Sequence, residues 1–147
     1  MKLHFSRILL LLPLSACAAE TTLDRFDLLV EWNNRHSECF DIRSRNAETF
    51  PITPWFESLT KDDKKRVVLY LSELKMYQCT LGETSKIKQR YSEQDVQELE
   101  KMLGSTLRLD EPDKNDIEDL DYRQIELISE QISVFSVLVV AEQLNVL

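Results

Sequence analysis

The residues best suited to catalysis or metal binding are a histidine and the cysteines, and their spacing argues against both roles. Apart from His4 near the start, His36 is the only histidine, and Cys39 lies three residues after it. Zinc sites need three or four clustered ligands, so this pair supplies about half of one. No Cys-x-x-Cys pair is present to lower the pKa of a thiol for redox work. We therefore predict no enzyme, no bound metal and no cofactor, with His36 a polar surface residue.

An acidic run at residues 110–121 is the other group with metal-binding chemistry. It carries seven carboxylates against one lysine. The EF-hand pattern fails, because Ile117 occupies the fifth position from Asp113 and the required glycine is missing. We interpret the run as acids that complement the positive N-terminal end of a following helix. The alternative is a strip that contacts a basic partner through Asp113, Asp116 and Asp119.

Two further sets of side chains are candidates for partner binding. Ser129, Ser133 and Ser136 are spaced three and four apart on an otherwise apolar segment, where small residues let another helix approach closely. That helix is one of the domain's own by default, or a peptide docked in a groove. Trp55 and Phe56 form either a plug at one end of a helical bundle or an exposed aromatic platform. We favour the plug.

The first 17 residues carry an export pattern. Two basic residues precede a short apolar run, and Leu14-Ser15-Ala16-Cys17 follows it. This arrangement resembles the precursors of bacterial lipoproteins, whose cleavage site has an aliphatic residue, two small residues and an invariant cysteine. The resemblance implies cleavage before Cys17 and acylation of its sulfur and its new amine. The alanine after Cys17, where aspartate would retain the protein at the inner membrane, implies the outer membrane, and we expect the domain on its periplasmic side.

Cleavage by ordinary signal peptidase is the alternative, because Ala16-Cys17-Ala18 also presents small residues at the required positions. The cysteine count favours lipidation, since an odd number of three leaves an exported protein with a free thiol. Acylation of Cys17 leaves Cys39 and Cys79. In the oxidising periplasm that the resemblance implies, we expect these two to form a disulfide. The alternative is two buried thiols that never meet.

The composition is typical of one acidic globular domain. Loss of residues 1–16 removes two of the 18 basic residues and none of the 26 acids, which leaves a net charge near -10. This charge argues against nucleic acid as a partner. We expect residues 1–16 to be the signal peptide, residues 17–22 a short lipidated tether and residues 23–147 a single helical domain, because about 130 residues suffice for one core.

Apolar periodicity and capping residues predict the first helices. The first begins at Thr21 or Thr22 and runs to about Cys39. Its apolar residues fall near one side: Leu23, Phe26, Val30 and Phe40. Thr53-Pro54 then supplies a cap and a first helical residue for a short turn.

The clearest helical pattern begins after Thr60, with an acidic residue three positions on, and continues to Leu81. Ser92 repeats the capping pattern before a shorter helix. Gly82 and Gly104 follow these two patterns, and glycine tolerates the left-handed geometry that ends helices. We predict both glycines as helix ends.

The last predicted helix begins between Asp113 and Asp116 and runs to about Asn145. Its apolar residues cover nearly all faces from Ile132 onward, as in a helix buried in a core, yet the run falls far short of the roughly 20 residues of a membrane helix. A strand over residues 133–140 is the competing interpretation. The predicted architecture is all-α: a bundle-like domain of about four or five helices with a buried C-terminal helix.

Together these features predict a non-catalytic binding or adaptor protein, attached to the membrane by its lipid, whose partner is another envelope protein. The combination is similar in architecture to the helical pilotin lipoproteins of secretion systems, which escort outer-membrane secretin subunits by gripping a helical tail. The alternative is an immunity protein or inhibitor that neutralises an envelope-targeting toxin or hydrolase. An enzyme acting on peptidoglycan through paired carboxylates comes third, because no pair stands out.

Overall fold

The computed structural model describes residues 22–104 and 106–145, with side chains described from Phe26 onward. The predicted signal peptide, Cys17, the predicted tether up to residue 21 and the side chain of Leu23 lie outside these described residues. Within them the structure contains six α-helices and no strand, which confirms the all-α class. The helices are α1 (Thr22–Arg45), α2 (Pro54–Ser58), α3 (Lys61–Arg90), α4 (Glu93–Leu103), α5 (Tyr122–Ser129) and α6 (Val137–Gln143), with a 3-10 turn at Asn115–Ile117.

The 30-residue helix α3 is the element on which α1, α5, α6 and the 3-10 turn pack. α1 runs antiparallel to α3, because the links between them follow opposite numerical order. These links are Glu31–Lys86, Trp32–Thr84 and Cys39–Cys79. The predicted disulfide is confirmed. α1 continues beyond Cys39, where we predicted its end, to Arg45, so the disulfide joins two helix interiors.

Two hydrophobic cores lie along α3, which at 1.5 Å per residue is about 45 Å long. The first core surrounds its N-terminal half and is closed by the C-terminal segment: Phe50, Phe56, Val67, Val68, Tyr70, Leu71, Leu74, Ile117, Ile125, Ile128, Phe135 and Val140. The second core lies on its C-terminal half and is closed by α1 and the segment after α4: Leu29, Trp32, Ile87, Tyr91, Leu107 and Leu109. The second core is the one that positions the candidate site.

The predicted helix starts are confirmed at three positions. The side-chain oxygens of Thr53 and Thr60 each accept a hydrogen bond from the backbone N–H three residues on. Ser92 does the same at 3.2 Å, and the carboxylate of Asp95 accepts the Ser92 N–H in return at 3.0 Å. These bonds satisfy N–H groups that the first turn of a helix leaves unpaired.

Gly82 does not end a helix, contrary to our prediction. α3 passes through it and ends at Arg90. Thr84 and Ile87, beyond the glycine, are almost fully buried, and this packing outweighs the cost of about 1 kcal/mol that a glycine adds to a helix interior. Gly104 does end α4, with a φ of 64° in the left-handed region.

Replacing Gly82 with alanine is expected to raise the free energy of unfolding by about 0.5–1 kcal/mol, because the backbone is helical and alanine restricts the unfolded chain. An added Cβ meets no atom within 4 Å. At Gly104 the space is equally open but φ is +64°, so Gly104→Ala is expected to lower stability by about 1 kcal/mol. Urea denaturation followed by circular dichroism measures both changes. A stability loss in Gly82→Ala contradicts its helix-interior position.

The single long C-terminal helix that we predicted is wrong. α5 ends at Ser129 and α6 begins at Val137, and the chain between them is not helical. Ile132 and Val134 are β-branched and form helix weakly. Leaving the helix also lets Phe135 enter the first core, where it is 5% exposed. Burial therefore decides against the helical periodicity.

Side chains from the segment after α1 support this break. The amide of Asn46 donates to the carbonyl of Val134 at 2.8 Å and to the hydroxyl of Ser133 at 3.0 Å. That hydroxyl donates to the carboxylate of Glu48 at 2.9 Å. The bonds from Ser133 and Asn46 lower the pKa of Glu48. Beyond the break, α6 buries Val140 against the core, so the C-terminal helix is buried on one face.

Candidate functional site

An apolar groove lies between α1 and the segment that follows α4. It consists of two connected clefts of about 610 and 550 Å³. Both clefts are lined by Trp32, His36, Thr106, Leu107 and Arg108. The proximal cleft, nearer the start of α1, adds Phe26, Leu29, Val30, Asn33 and Leu103. The distal cleft adds Phe40, Arg43, Met76, Tyr77 and Pro112 among others.

α1 has more apolar surface than its packing uses, and this surplus makes the groove. Leu29 and Trp32 face inward, with exposed fractions of 7% and 6%. Three residues that we predicted to share an apolar side, Phe26, Val30 and Phe40, are instead 49%, 55% and 51% exposed. Large apolar side chains that line a cleft and stay half exposed are typical of an interaction surface.

The opposite wall is formed where the chain leaves α4. The backbone N–H of Leu107 donates to the carboxylate of Glu100 at 2.8 Å. Leu107 and Leu109 insert into the second core. Arg108, between them, is exposed and pairs with Glu73 of α3 at 3.1 Å. This alternation places a cationic side chain on the wall of the groove.

Trp32 forms the floor where the two clefts meet. Its Nε1 donates to the hydroxyl of Thr84 at 3.1 Å, and its ring stacks on His36 with centroids 5.0 Å apart. Partial burial lowers the pKa of His36, and the positive charge of Arg108 lowers it further. His36 is therefore neutral at pH 7. The floor is an uncharged aromatic surface beside one guanidinium.

The groove is suited to binding an apolar segment. His36 stacks on an indole and lies near a guanidinium, and neither group orients an imidazole as a general base. Within residues 22–104 and 106–145, no three His, Cys, Asp or Glu side chains are placed to hold a metal ion. The chemistry that these walls offer is exclusion of water from apolar surface.

The predicted acidic strip is partly tied to α3. Arg66 donates through Nε to the carbonyl of Asp116 at 2.6 Å and forms an ion pair with the carboxylate of Asp119. That bond raises the pKa of Arg66 and lowers the pKa of Asp119. Asp113 accepts a hydrogen bond from the backbone of Asn115 at 2.9 Å, at the start of the 3-10 turn. These residues fix the 3-10 turn to the first core.

The three serines do not form a stripe on one helix, so that interpretation is wrong. Ser129 is buried at the end of α5. Ser133 lies in the break, bonded to Asn46 and Glu48. Ser136 is the residue before α6. The predicted spacing depended on a continuous helix, and the break separates the three side chains.

Trp55 and Phe56 lie at the first core. Phe56 is 1% exposed, and its ring centroid is 5.1 Å from that of Phe50. Trp55 is partly buried and packs against the same core. Phe56 is therefore a plug in the first core.

Sequence reasoning missed the groove, because it treated the apolar residues of α1 as one packed side. Leu29 and Trp32 were not included in that side, although their spacing of three is helical. The available signal was that α1 has two apolar sides. A helix at the edge of a small domain packs through only one side, so the other side stays exposed. Arg108 and Leu103 carried no such signal, because their positions depend on the turn after α4.

The fold and the groove define a class: an all-α domain with one interhelical disulfide and an open apolar groove. Comparison with protein-family models, with curated proteins and with solved structures finds no match for this chain. Among the described helices, none combines the length and apolar character that a membrane crossing requires.

Proposed function

We propose that this protein is a lipid-anchored, non-catalytic binding or adaptor protein of the bacterial envelope, which holds an apolar segment of another envelope protein in its groove. The single observation that carries the binding role is the half-exposed apolar side of α1 where it lines the distal cleft at Phe40. The lipobox pattern at Cys17 supports the anchor. The disulfide of the domain is in keeping with export to an oxidising compartment.

The distal cleft is the part of the groove best suited to a protein partner. Phe40 and Tyr77 supply aromatic surface, and the guanidinium of Arg43 lies 5.6 Å from the Phe40 ring. Aromatic and arginine side chains contribute most of the energy in many interfaces. Burying the exposed half of Phe40 contributes about 1 kcal/mol, so the affinity depends on several such contacts together. An amphipathic helix that lays its apolar face in the cleft satisfies this requirement.

A pilotin-like role in assembling a secretion system is the most specific form of this proposal. In this form of the proposal, the segment bound in the groove is a helical tail of a secretin subunit. Membrane attachment assists such a partner, because two proteins confined to one membrane meet at a raised effective concentration.

The proposed function is tested by replacing Cys17 and Phe40 separately. Cys17→Ser is expected to move the protein from the membrane fraction to the periplasmic fraction or to block its processing, because several acyl chains hold a protein on a membrane at about 0.8 kcal/mol per buried methylene. Mass spectrometry of the wild-type N-terminus is expected to show an acylated Cys17. Unchanged membrane retention of Cys17→Ser contradicts the anchor.

The binding role is tested by extracting cell envelopes with detergent, purifying the protein by affinity and measuring the envelope protein that co-purifies. Phe40→Arg is expected to reduce recovery of the co-purifying envelope protein at least tenfold, since a charged side chain enters the distal cleft. Val139→Arg is the matched control, because Val139 is 42% exposed on α6, outside the groove. Equal recovery with both variants contradicts a partner in the groove.

A further inference from the structure

Four large apolar side chains are exposed at one end of the molecule. Phe26 and Val30 on α1 are 49% and 55% exposed, and Met102 and Leu103 at the end of α4 are 68% and 52% exposed. Phe26, Val30 and Leu103 line the same proximal cleft. α4 is amphipathic in sequence yet has no fully buried residue. We term these four residues the apolar end.

The predicted tether joins the domain at this end, at the start of α1. Cys17 lies five residues before Thr22, the first residue of α1, which allows a reach of at most about 17 Å. Phe26 is one turn into α1. If Cys17 carries the anchor, as the proposed function holds, the first two turns of α1 stay close to the bilayer surface.

We propose that the apolar end rests on the bilayer, with Phe26, Val30, Met102 and Leu103 in its interfacial layer. The inference rests on the proposed lipid anchor. Weak apolar contacts suffice for this contact, because the short tether makes docking an intramolecular event with a high effective concentration. Amphipathic elements lie in this layer with their apolar side chains about 5–10 Å below the surface.

Charges near the apolar end indicate that the contact does not depend on anionic lipids. Lys86 pairs with Glu31 at 2.8 Å, and Lys88 pairs with Asp110 at 2.6 Å. Asp27 is exposed on the same stretch of α1. Lys86 is already paired and Asp27 is exposed, so apolar contact is the main attraction to the membrane, beside the exposed cation of Lys101.

This orientation leaves the distal cleft available. Phe40 lies 14 residues after Phe26 on α1, a distance of about 21 Å along the helix axis. α6 and the first core lie on the opposite half of α3 from the start of α1. The partner site of the proposed function therefore lies outside the interfacial layer.

The test uses the full mature protein, acylated at Cys17 and reconstituted into phosphatidylcholine vesicles. A nitroxide spin label is attached at Met102→Cys, and Val139→Cys on α6 is the matched control. The collision rate of the Met102 label with a water-soluble nickel complex is expected to be at least about fivefold lower than that of the Val139 label, because a buried interfacial site excludes polar solutes. The collision rate of the Met102 label with oxygen is expected to be higher than that of the Val139 label. Added salt is expected to leave the nickel and oxygen collision rates unchanged.

Each result separates the anchor from the docking. Protein that does not float with the vesicles overturns the proposed anchor. Protein that floats, with equal nickel collision at the two labels, overturns the docking alone. A Met102 label shielded from both nickel and oxygen indicates a second copy of the chain or another protein on this surface, and also overturns it. A Phe26→Asp, Val30→Asp variant that still floats is expected to restore nickel collision at Met102 and so to support the proposal.

Discussion

Replacing Cys39 and Cys79 with serine is expected to lower the free energy of unfolding of the helical domain by about 4 kcal/mol. The disulfide links residues 40 apart in the sequence, and opening it gives the unfolded chain additional entropy worth about that amount at 25 °C. For a domain of this size the melting temperature is expected to fall by roughly 15 °C. Thermal unfolding followed by circular dichroism measures the fall.

The bond lies at a closely packed point between α1 and α3. Cys39 is fully buried, and Arg35 donates to the carbonyl of Cys79 at 3.0 Å, so the two helices meet closely at this point. Wild-type protein with a reducing agent is expected to melt with the double variant. Cys17→Ser, which keeps the disulfide, is expected to melt with oxidised wild-type protein. A double variant as stable as the wild type would show that packing of α1 on α3 is sufficient.

Features set by local chemistry could be predicted from the sequence. The caps at Thr53, Thr60 and Ser92 depend on hydrogen bonds within one turn, and all three are present. The end of α4 at Gly104 follows from the same kind of rule. The prediction of a helix end at Gly82 was wrong, because the rule considers only the residues before the glycine. The burial of Ile87 beyond it decides the length of α3.

The C-terminal segment could not be predicted from periodicity, because distant residues determine it. The break after Ser129 is held by Asn46, more than 80 residues earlier in the chain. Apolar residues continue through this segment without a gap, because the same residues serve two short helices and a connecting loop. Burial of Phe135 in the first core then outweighs helical hydrogen bonds.

The candidate site was hidden for a similar reason. Sequence patterns identify apolar residues of a helix but not which of them find a partner within the domain. Phe26 and Phe40 line an open groove and do not pack inside the domain. The opposite wall of that groove is the segment around Arg108, whose position depends on the turn after α4. The lipobox pattern at Cys17 depends on adjacent residues alone, and the lipid anchor that it predicts stays a prediction.

Phe56→Ala is expected to lower the free energy of unfolding by about 4 kcal/mol, because it removes a large aromatic ring from a packed core and leaves a cavity. The ring is 1% exposed and contacts Phe50 in the first core. Phe40→Ala is the matched control, since the same atoms are removed from a ring that is 51% exposed, and its expected cost is about 1 kcal/mol. Urea denaturation measures both values.

The same pair of variants separates stability from partner binding. Phe56→Ala is expected to bind the partner as well as the wild type at temperatures where it remains folded, because the ring does not reach the surface. Phe40→Ala is expected to show the reverse, with nearly normal stability and weakened binding through the distal cleft. If Phe56→Ala keeps its stability and loses the partner, the aromatic pair at 55–56 is a binding platform, and the groove along α1 is not the site.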